Sequence, residues 1–409
     1  MSAIDRRVVV TGIGVISSIG VGPKEFAAGL REGRSGAAPI TAFDTTGFEH
    51  VNACEVTDFE PAEWLRRTPA DGPGRAARFA ATAARMAVTD AGLDEDALRD
   101  RRGLISIGTT DGGSREIDEL TEAEVAAGPE AWDPEIVGSI PAARLAAAVA
   151  LELDLPDADA ATFATACSAG NYALGNGLDA IRLGETDYAL CGGADAVCRK
   201  TFTAFYRLGT ISPDVCRPFD RNRQGILTGE GAAVLLLESL ESAQARGARI
   251  YAEVLGYGLN CDAFHPVAPD QESIARCMRA ALADAGVRAA DVDLISAHGT
   301  GTKANDVTEC RAINDVFERR PPRTVSLKSM LGHTMGAASA IAAAACCLAI
   351  TGGFIPPTIH HEETDPDCEI DCVPNRSAPA DLRVVQSNGL AFGGNNAVVI
   401  FGAHGGRAA

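Results

Sequence analysis

Short apolar runs alternate along this chain with longer alanine-rich stretches. That alternation predicts an α/β protein whose sheets are covered on both faces. Val8 to Thr11 reads as a first strand, ended by glycines. Leu104-Ile105-Ser106, Tyr188 to Leu190, Val234 to Glu238, Tyr251 to Tyr257 and Leu294-Ile295-Ser296 read as further strands. Ala337 to Ile350 is too short for a membrane span and predicts a buried helix.

The pattern repeats. TDAGLDEDALRDRRGLISIGTTDG runs from Thr89 to Gly112, and ADAGVRAADVDLISAHGTGT from Ala283 to Thr302. Each has a helix ending at Asp-Ala-Gly, a charged stretch, then a Leu-Ile-Ser strand entering a Gly/Thr loop. Gly92 and Gly286 suit the helix stops. The order recurs later, where Cys167 opens one small-residue helix and Gly332-His333 opens another. This predicts a duplication, with residues 1–250 as the first half and 251–409 as the second.

Composition narrows the class. The 409 residues are 46% hydrophobic, enough for a large core and more than one domain. A net charge of -19 argues against nucleic acid and anionic membrane as partners. The 12 cysteines form no short disulfide framework, which points to a reducing cytoplasm. Cys346 and Cys347 read as small buried hydrophobes. Cys368 and Cys372, near His360 and His361, lack a second pair with zinc spacing, so no metal is expected. His50, His361 and His404 read as surface residues. The opening apolar run is too short for a signal sequence.

The chemistry centres on TACSAGNYALGNGLDAIRLG, from Thr165 to Gly184. Cys167 stands at the start of a helix, where unpaired N–H groups favour a thiolate, the reactive form of cysteine. Small neighbours leave room for a substrate. His298 in SAHGTGT and His333 in LKSMLGHTMGAA sit in glycine-rich loops. If the halves are equivalent, both site helices point to one seam and bring Cys167, His298 and His333 together.

Over nearly its whole length the chain resembles an elongating β-ketoacyl-acyl-carrier-protein synthase of the thiolase superfamily. The resemblance rests on RVVVTGIGVISSIG, TACSAGNYALGNGLDAIRLG, PFDRNRQGILTGEGAAVLLLE, AHGTGTKANDVTE, SLKSMLGHTMGAAS and SNGLAFGGNNAVVIF. It implies a five-layered αβαβα thiolase-like fold made of two duplicated halves, normally dimeric. It implies no bound cofactor, the substrates being carried on the phosphopantetheine arm of an acyl carrier protein.

On this resemblance Cys167 takes the acyl group. His298 and His333 hold the enolate oxygen formed as a malonyl thioester loses carbon dioxide. Lys328 acts electrostatically, and Glu309 pairs with it and braces the histidine loop. Asp306 is a cap or network residue. Phe392 gates the acyl pocket, and its N–H joins that of Cys167 as an oxyanion hole. Family members usually carry Gly-Phe-Gly-Gly there, whereas this chain has Ala391 first. The loop after Asp262-Ala263-Phe264-His265 is shortened. With Asn171-Tyr172 and Leu331, that favours a specialised polyketide or polyene role over housekeeping synthesis. Arg66, Arg67, Arg75 and Arg78 form an expected docking patch for the acidic carrier, with Arg75 and Arg78 on one helix face. Two other readings stand beside this one. A thiolase acting without decarboxylation lacks its second cysteine here. A chain-length-controlling subunit of a ketosynthase heterodimer would lack the nucleophile that this chain keeps. The active member pairs with itself or with such a subunit.

Overall fold

The computed structural model describes residues 6–72 and 74–405. Besides a two-residue strand, Gly20–Val21, hairpinned to the first, five strands build the first half of the sheet: β1 (Val8–Ser17), β2 (Gly103–Gly108), β3 (Asp159–Phe163), β4 (Tyr188–Asp195) and β5 (Gly231–Ser239). Five more build the second: β6 (Ala252–Cys261), β7 (Leu294–Ser296), β8 (Arg323–Val325), β9 (Val384–Gly389) and β10 (Asn395–Gly402). The order across the sheet is β8-β7-β9-β10-β6-β1-β5-β4-β2-β3. Each half therefore has the internal order first-fifth-fourth-second-third.

The strand directions match as well. In each half the first, fifth and fourth strands are antiparallel neighbours, and the fourth, second and third are parallel. The repeated Leu-Ile-Ser runs occupy β2 and β7, the second strand of each half. The halves join where Val8 to Val10 pair with Ala252 to Val254.

Helices complete the layers. The main ones are α1 (Arg75–Asp90), α2 (Arg144–Leu153), α3 (Ala169–Leu183), α4 (Arg199–Arg207), α5 (Gln271–Ala285), α6 (Lys303–Val316) and α7 (Ala337–Gly352). α1 and α2 cover one outer face, α5 and α6 the other, and α3 and α7 fill the centre. Strand alternation sorts the core between these layers. On β5, Val234 and Leu236 face the outer cluster, while Ala233, Leu235 and Leu237 face the central helices. Burial of both faces explains why the central strands β1 and β5 are nearly continuous apolar runs. As expected, α1 is followed by Gly92 and α5 stops at Gly286, both with left-handed φ.

The two central helices touch through small residues. A Cβ on Gly170 would lie 2.5 Å from the Ala340 nitrogen, and one on Gly108 would lie 2.3 Å from the Ala169 carbonyl carbon. Only glycine permits these approaches: the first places the starts of α3 and α7 side by side, and the second seats the start of α3 against the end of β2.

Candidate active site

Cys167 lies in a single 3-10 turn, Ala166–Ser168, that runs into α3. Ala166 has φ +52, an uncommon conformation for a residue with a side chain, and it makes the turn sharp. His298 follows β7 on its loop. His333 precedes α7, with its N–H bonded to the Leu227 carbonyl at 2.7 Å and its own carbonyl accepting from Gly229 at 2.9 Å. One nitrogen of each ring and the Cys167 sulfur all lie within 4.8 Å of one another. The sequence expectation that these three residues share one seam is met in this geometry.

Second contacts orient both rings. His333 Nδ1 accepts the Met335 N–H at 3.1 Å. His298 Nδ1 lies 3.4 Å from the Lys328 ammonium, which has only protons to offer. Each Nδ1 is therefore an acceptor, and each neutral ring carries its proton on Nε2. Burial and the Lys328 charge hold both imidazoles well below the ordinary histidine range. The sulfur and two nitrogens have the spacing of a soft-metal site. A metal at Nε2 would have to displace the proton that these contacts place there.

The thiol differs from the sequence expectation. The helix start predicts a thiolate, yet burial dominates and pushes Cys167 up to about 11. Lys328 and the N–H groups of Phe392 and of Cys167 itself pull it down, while Asp195 pushes it up. The two N–H groups acting on one sulfur are the pair that the oxyanion-hole expectation named.

Behind the histidines lies a buried polar frame. Glu309 accepts the His298 N–H and the Gly299 N–H, both at 2.8 Å, and the Asn388 amide at 2.9 Å. It braces the loop through the backbone. Its expected ion pair with Lys328 does not form, since the Lys328 ammonium turns to the His298 carbonyl at 2.5 Å. Asp306 is a network residue. It accepts from Phe219 at 2.9 Å and Gly301 at 3.1 Å and faces Arg223 at 3.4 Å. The cap of α6 is Thr302 instead.

Beside Cys167 a cavity of about 130 Å³ is lined by Phe205, Ile226, Val267, Leu390 and Phe392, with Thr300 and Thr302. The Phe205 ring centroid lies 5.6 Å from that of Phe392 and 6.4 Å from that of His333. The loop after Asp262 holds the Phe392 turn. Gly393 donates to the Pro266 carbonyl at 2.8 Å, and Asp262 donates to the Gly394 carbonyl at 3.0 Å.

The arginines are placed differently from the docking expectation. Arg75 turns inward and grips buried Glu230 with two bonds, of 2.6 and 3.0 Å. Arg78 bonds the Ala70 carbonyl at 2.6 Å. Arg67 reaches Asp154, and Arg66 is exposed and lies 3.8 Å from Glu95. The i, i+3 spacing was correct, but it does not say which way a helix face points. His361 also departs from its surface reading. Its side chain is buried between Asp220, Thr364 and Cys372. Cys368 turns to Cys310, so Cys368 and Cys372 do not share one site.

Comparison with known families agrees with the geometry. Residues 5–243 match the family described as "Beta-ketoacyl synthase, N-terminal domain", and residues 251–362 match its C-terminal domain. The chain belongs to the β-ketoacyl synthase family. Among curated β-ketoacyl synthase relatives, the chain is 37% identical to 3-oxoacyl-[acyl-carrier-protein] synthase 2 of Synechocystis, over 97% of this chain and 98% of that protein. It is 39% identical to Nodulation protein E of Rhizobium sp. strain N33, over 97% and 99%. Among solved structures, "The ishigamide ketosynthase/chain length factor" superposes with a TM-score of 0.97 at 64% identity, covering 98% of this chain and 100% of that one. A type II PKS acyl-carrier protein in complex with its ketosynthase gives 0.89 at 32% identity, covering 97% and 99%. The thiolase-like ketosynthase fold expected from the sequence is thus the fold of the chain. Among the described residues, no helix is long and apolar enough to cross a membrane.

Proposed function

We propose that this chain is the condensing member of a carrier-protein-dependent assembly system. It takes an acyl group from acyl carrier protein onto Cys167. The Cys167 sulfur forms a new thioester, and the thiol proton passes to the departing phosphopantetheine sulfur. A malonyl group on a carrier then loses carbon dioxide, leaving an enolate whose oxygen accepts from the Nε2–H groups of His298 and His333. The enolate carbon attacks the acyl carbonyl while the N–H groups of Cys167 and Phe392 receive its oxygen. The bond to Cys167 breaks, its electron pair returning to the sulfur, which regains a proton from water, and β-ketoacyl carrier protein leaves. Lys328 keeps His298 neutral and oriented, and Glu309 fixes its loop.

One observation carries this reading: a ring nitrogen of each of two imidazoles lies within 4.8 Å of the buried Cys167 sulfur, and each Nδ1 already has a partner, which leaves Nε2–H as the free donor. A condensation without decarboxylation would form the same enolate but would need a base to take the α-proton, and two neutral donors beside a single cysteine supply none. The test separates the roles. Cys167→Gln, with an amide in place of the acyl-enzyme, still releases carbon dioxide from malonyl carrier protein. Loss of that release in the folded variant would contradict the assignment.

The carrier partner is supported by the complex of a related ketosynthase with its acyl-carrier protein. The 64% identity to a chain of a ketosynthase/chain length factor structure, against 37% to the Synechocystis synthase, supports polyketide-type assembly with a related second subunit. Exposed Arg207 and Lys303 are the better docking cations. They flank Phe205 and Ala304 of the cavity wall, and neither has an ion pair among the described residues.

A further inference from the structure

We propose that Asp195, the last residue of β4, is a positioning residue that fixes the proton of His333 on Nε2. The proposal rests on the reading of His333 as a donor to the enolate. Asp195 is fully buried and lies outside the cavity wall. Its two oxygens take four donors: the Thr109 hydroxyl at 2.5 Å, the Thr110 N–H at 2.9 Å, the Asp111 N–H at 3.0 Å and the Gly336 N–H at 2.6 Å. An acid proton would leave one of these donors facing another, so the set fits the carboxylate form. Burial first, and then the neighbouring Asp111, push the group up to about 7, and the donors hold it from rising further.

Three of the donors belong to the loop after β2, in the first half. The fourth opens α7, in the second half, three positions after His333. Asp195 is therefore a tie between the Cys167 side and the His333 side. The backbones already meet there, since a Cβ on Gly336 would lie 2.4 Å from the Thr109 carbonyl carbon.

The tie acts through one peptide. Gly336 follows Met335, which has φ +50, an unfavourable conformation for a residue with a side chain. The Met335 N–H is the group that occupies His333 Nδ1. By holding the Gly336 N–H, Asp195 holds Met335 in that conformation and keeps its N–H on the ring. Without the tie Met335 relaxes, His333 Nδ1 is freed and the proton redistributes between the two nitrogens.

The test compares wild type with Asp195→Asn, an amide that cannot accept all four donors. Nitrogen NMR of histidine-labelled protein reads the protonated ring nitrogen of His333, assigned by its loss in His333→Ala. Wild type shows Nε2–H, and Asp195→Asn shows a mixture or Nδ1–H. Malonyl-carrier decarboxylation falls about tenfold or more in Asp195→Asn, the scale of a misaligned donor. Iodoacetamide alkylation of Cys167 holds or rises, because a nearby negative charge has been removed. General loosening would lower both. A wild-type spectrum with Nδ1–H overturns the proposal without any variant. So does an unchanged tautomer in Asp195→Asn, or a fall of both rates together. Normal decarboxylation by His333→Ala would instead overturn the functional reading, leaving the tautomer result to stand alone.

Discussion

At the scale of single residues, the site works by burial set against a few directed protons. Burial holds Cys167 as a thiol in the resting protein. Its alkylation by iodoacetamide should climb about tenfold per pH unit between about pH 7 and pH 9, with no plateau, as expected for a thiol raised to about 11. A plateau below about pH 8 would show a thiolate already formed in the resting protein. On the proposed function the histidines have a different task. Removing one aligned donor costs roughly 3 kcal/mol, about a hundredfold in rate. His333→Ala should lose that much in condensation and far less in acylation of Cys167, measured as a burst. Equal losses in both steps would contradict its role. Cys167, His298 and His333 were legible in the sequence because each stands among small residues in a glycine-bearing loop. Asp195, Met335 and Asn388 were not. They act through backbone N–H groups or another side chain, and no residue type advertises such a contact.

At the scale of elements, the duplication was legible and its consequence follows from packing. Leu104-Ile105-Ser106 and Leu294-Ile295-Ser296 fall on equivalent strands, so equivalent loops carry Thr109 to Asp111 and His298. The central helices meet through Gly170, where a Cβ would lie 2.5 Å from the Ala340 nitrogen and 2.7 Å from its Cβ. Replacing a helical glycine by alanine ordinarily stabilises by up to about 1 kcal/mol. Here overpacking of about 1–3 kcal/mol opposes that gain. Gly170→Ala should therefore lower the thermal midpoint and slow condensation, because it moves Cys167 away from His333. A raised midpoint with full activity would contradict the close approach. Helix orientation was the weaker part of the reading. Spacing placed Arg75 and Arg78 on one face of α1, but only the fold reveals Glu230 beneath Arg75 and the Ala70 carbonyl beside Arg78. Thr302, and not Asp306, caps α6, because Asp306 is drawn inward by Phe219, Gly301 and Arg223.

At the scale of the whole molecule, the proposed docking sets a net charge of -19 against a carrier expected to be acidic, so it calls for a local basic exception. Arg207→Glu with Lys303→Glu should slow acylation by acyl carrier protein, chiefly through association at low salt, and spare a small thioester. Equal effects on both donors would argue against docking there. Arg75→Glu should behave differently. It strands Glu230 in the core, and breaking a buried pair costs about 3–5 kcal/mol, so the loss is in folding and is read by denaturation. The central claim is that Cys167 carries the acyl group and the two histidines drive its decarboxylative condensation. The most direct measurement incubates the purified chain, alone and with a related cysteine-lacking subunit, with acyl and malonyl carrier proteins, and follows protein and product masses. The account predicts an acyl adduct on Cys167, absent in Cys167→Ala, and a β-ketoacyl carrier product formed with loss of one carbon dioxide. An adduct that persists in Cys167→Ala, or carbon–carbon bond formation that retains the malonyl carboxylate, would contradict it.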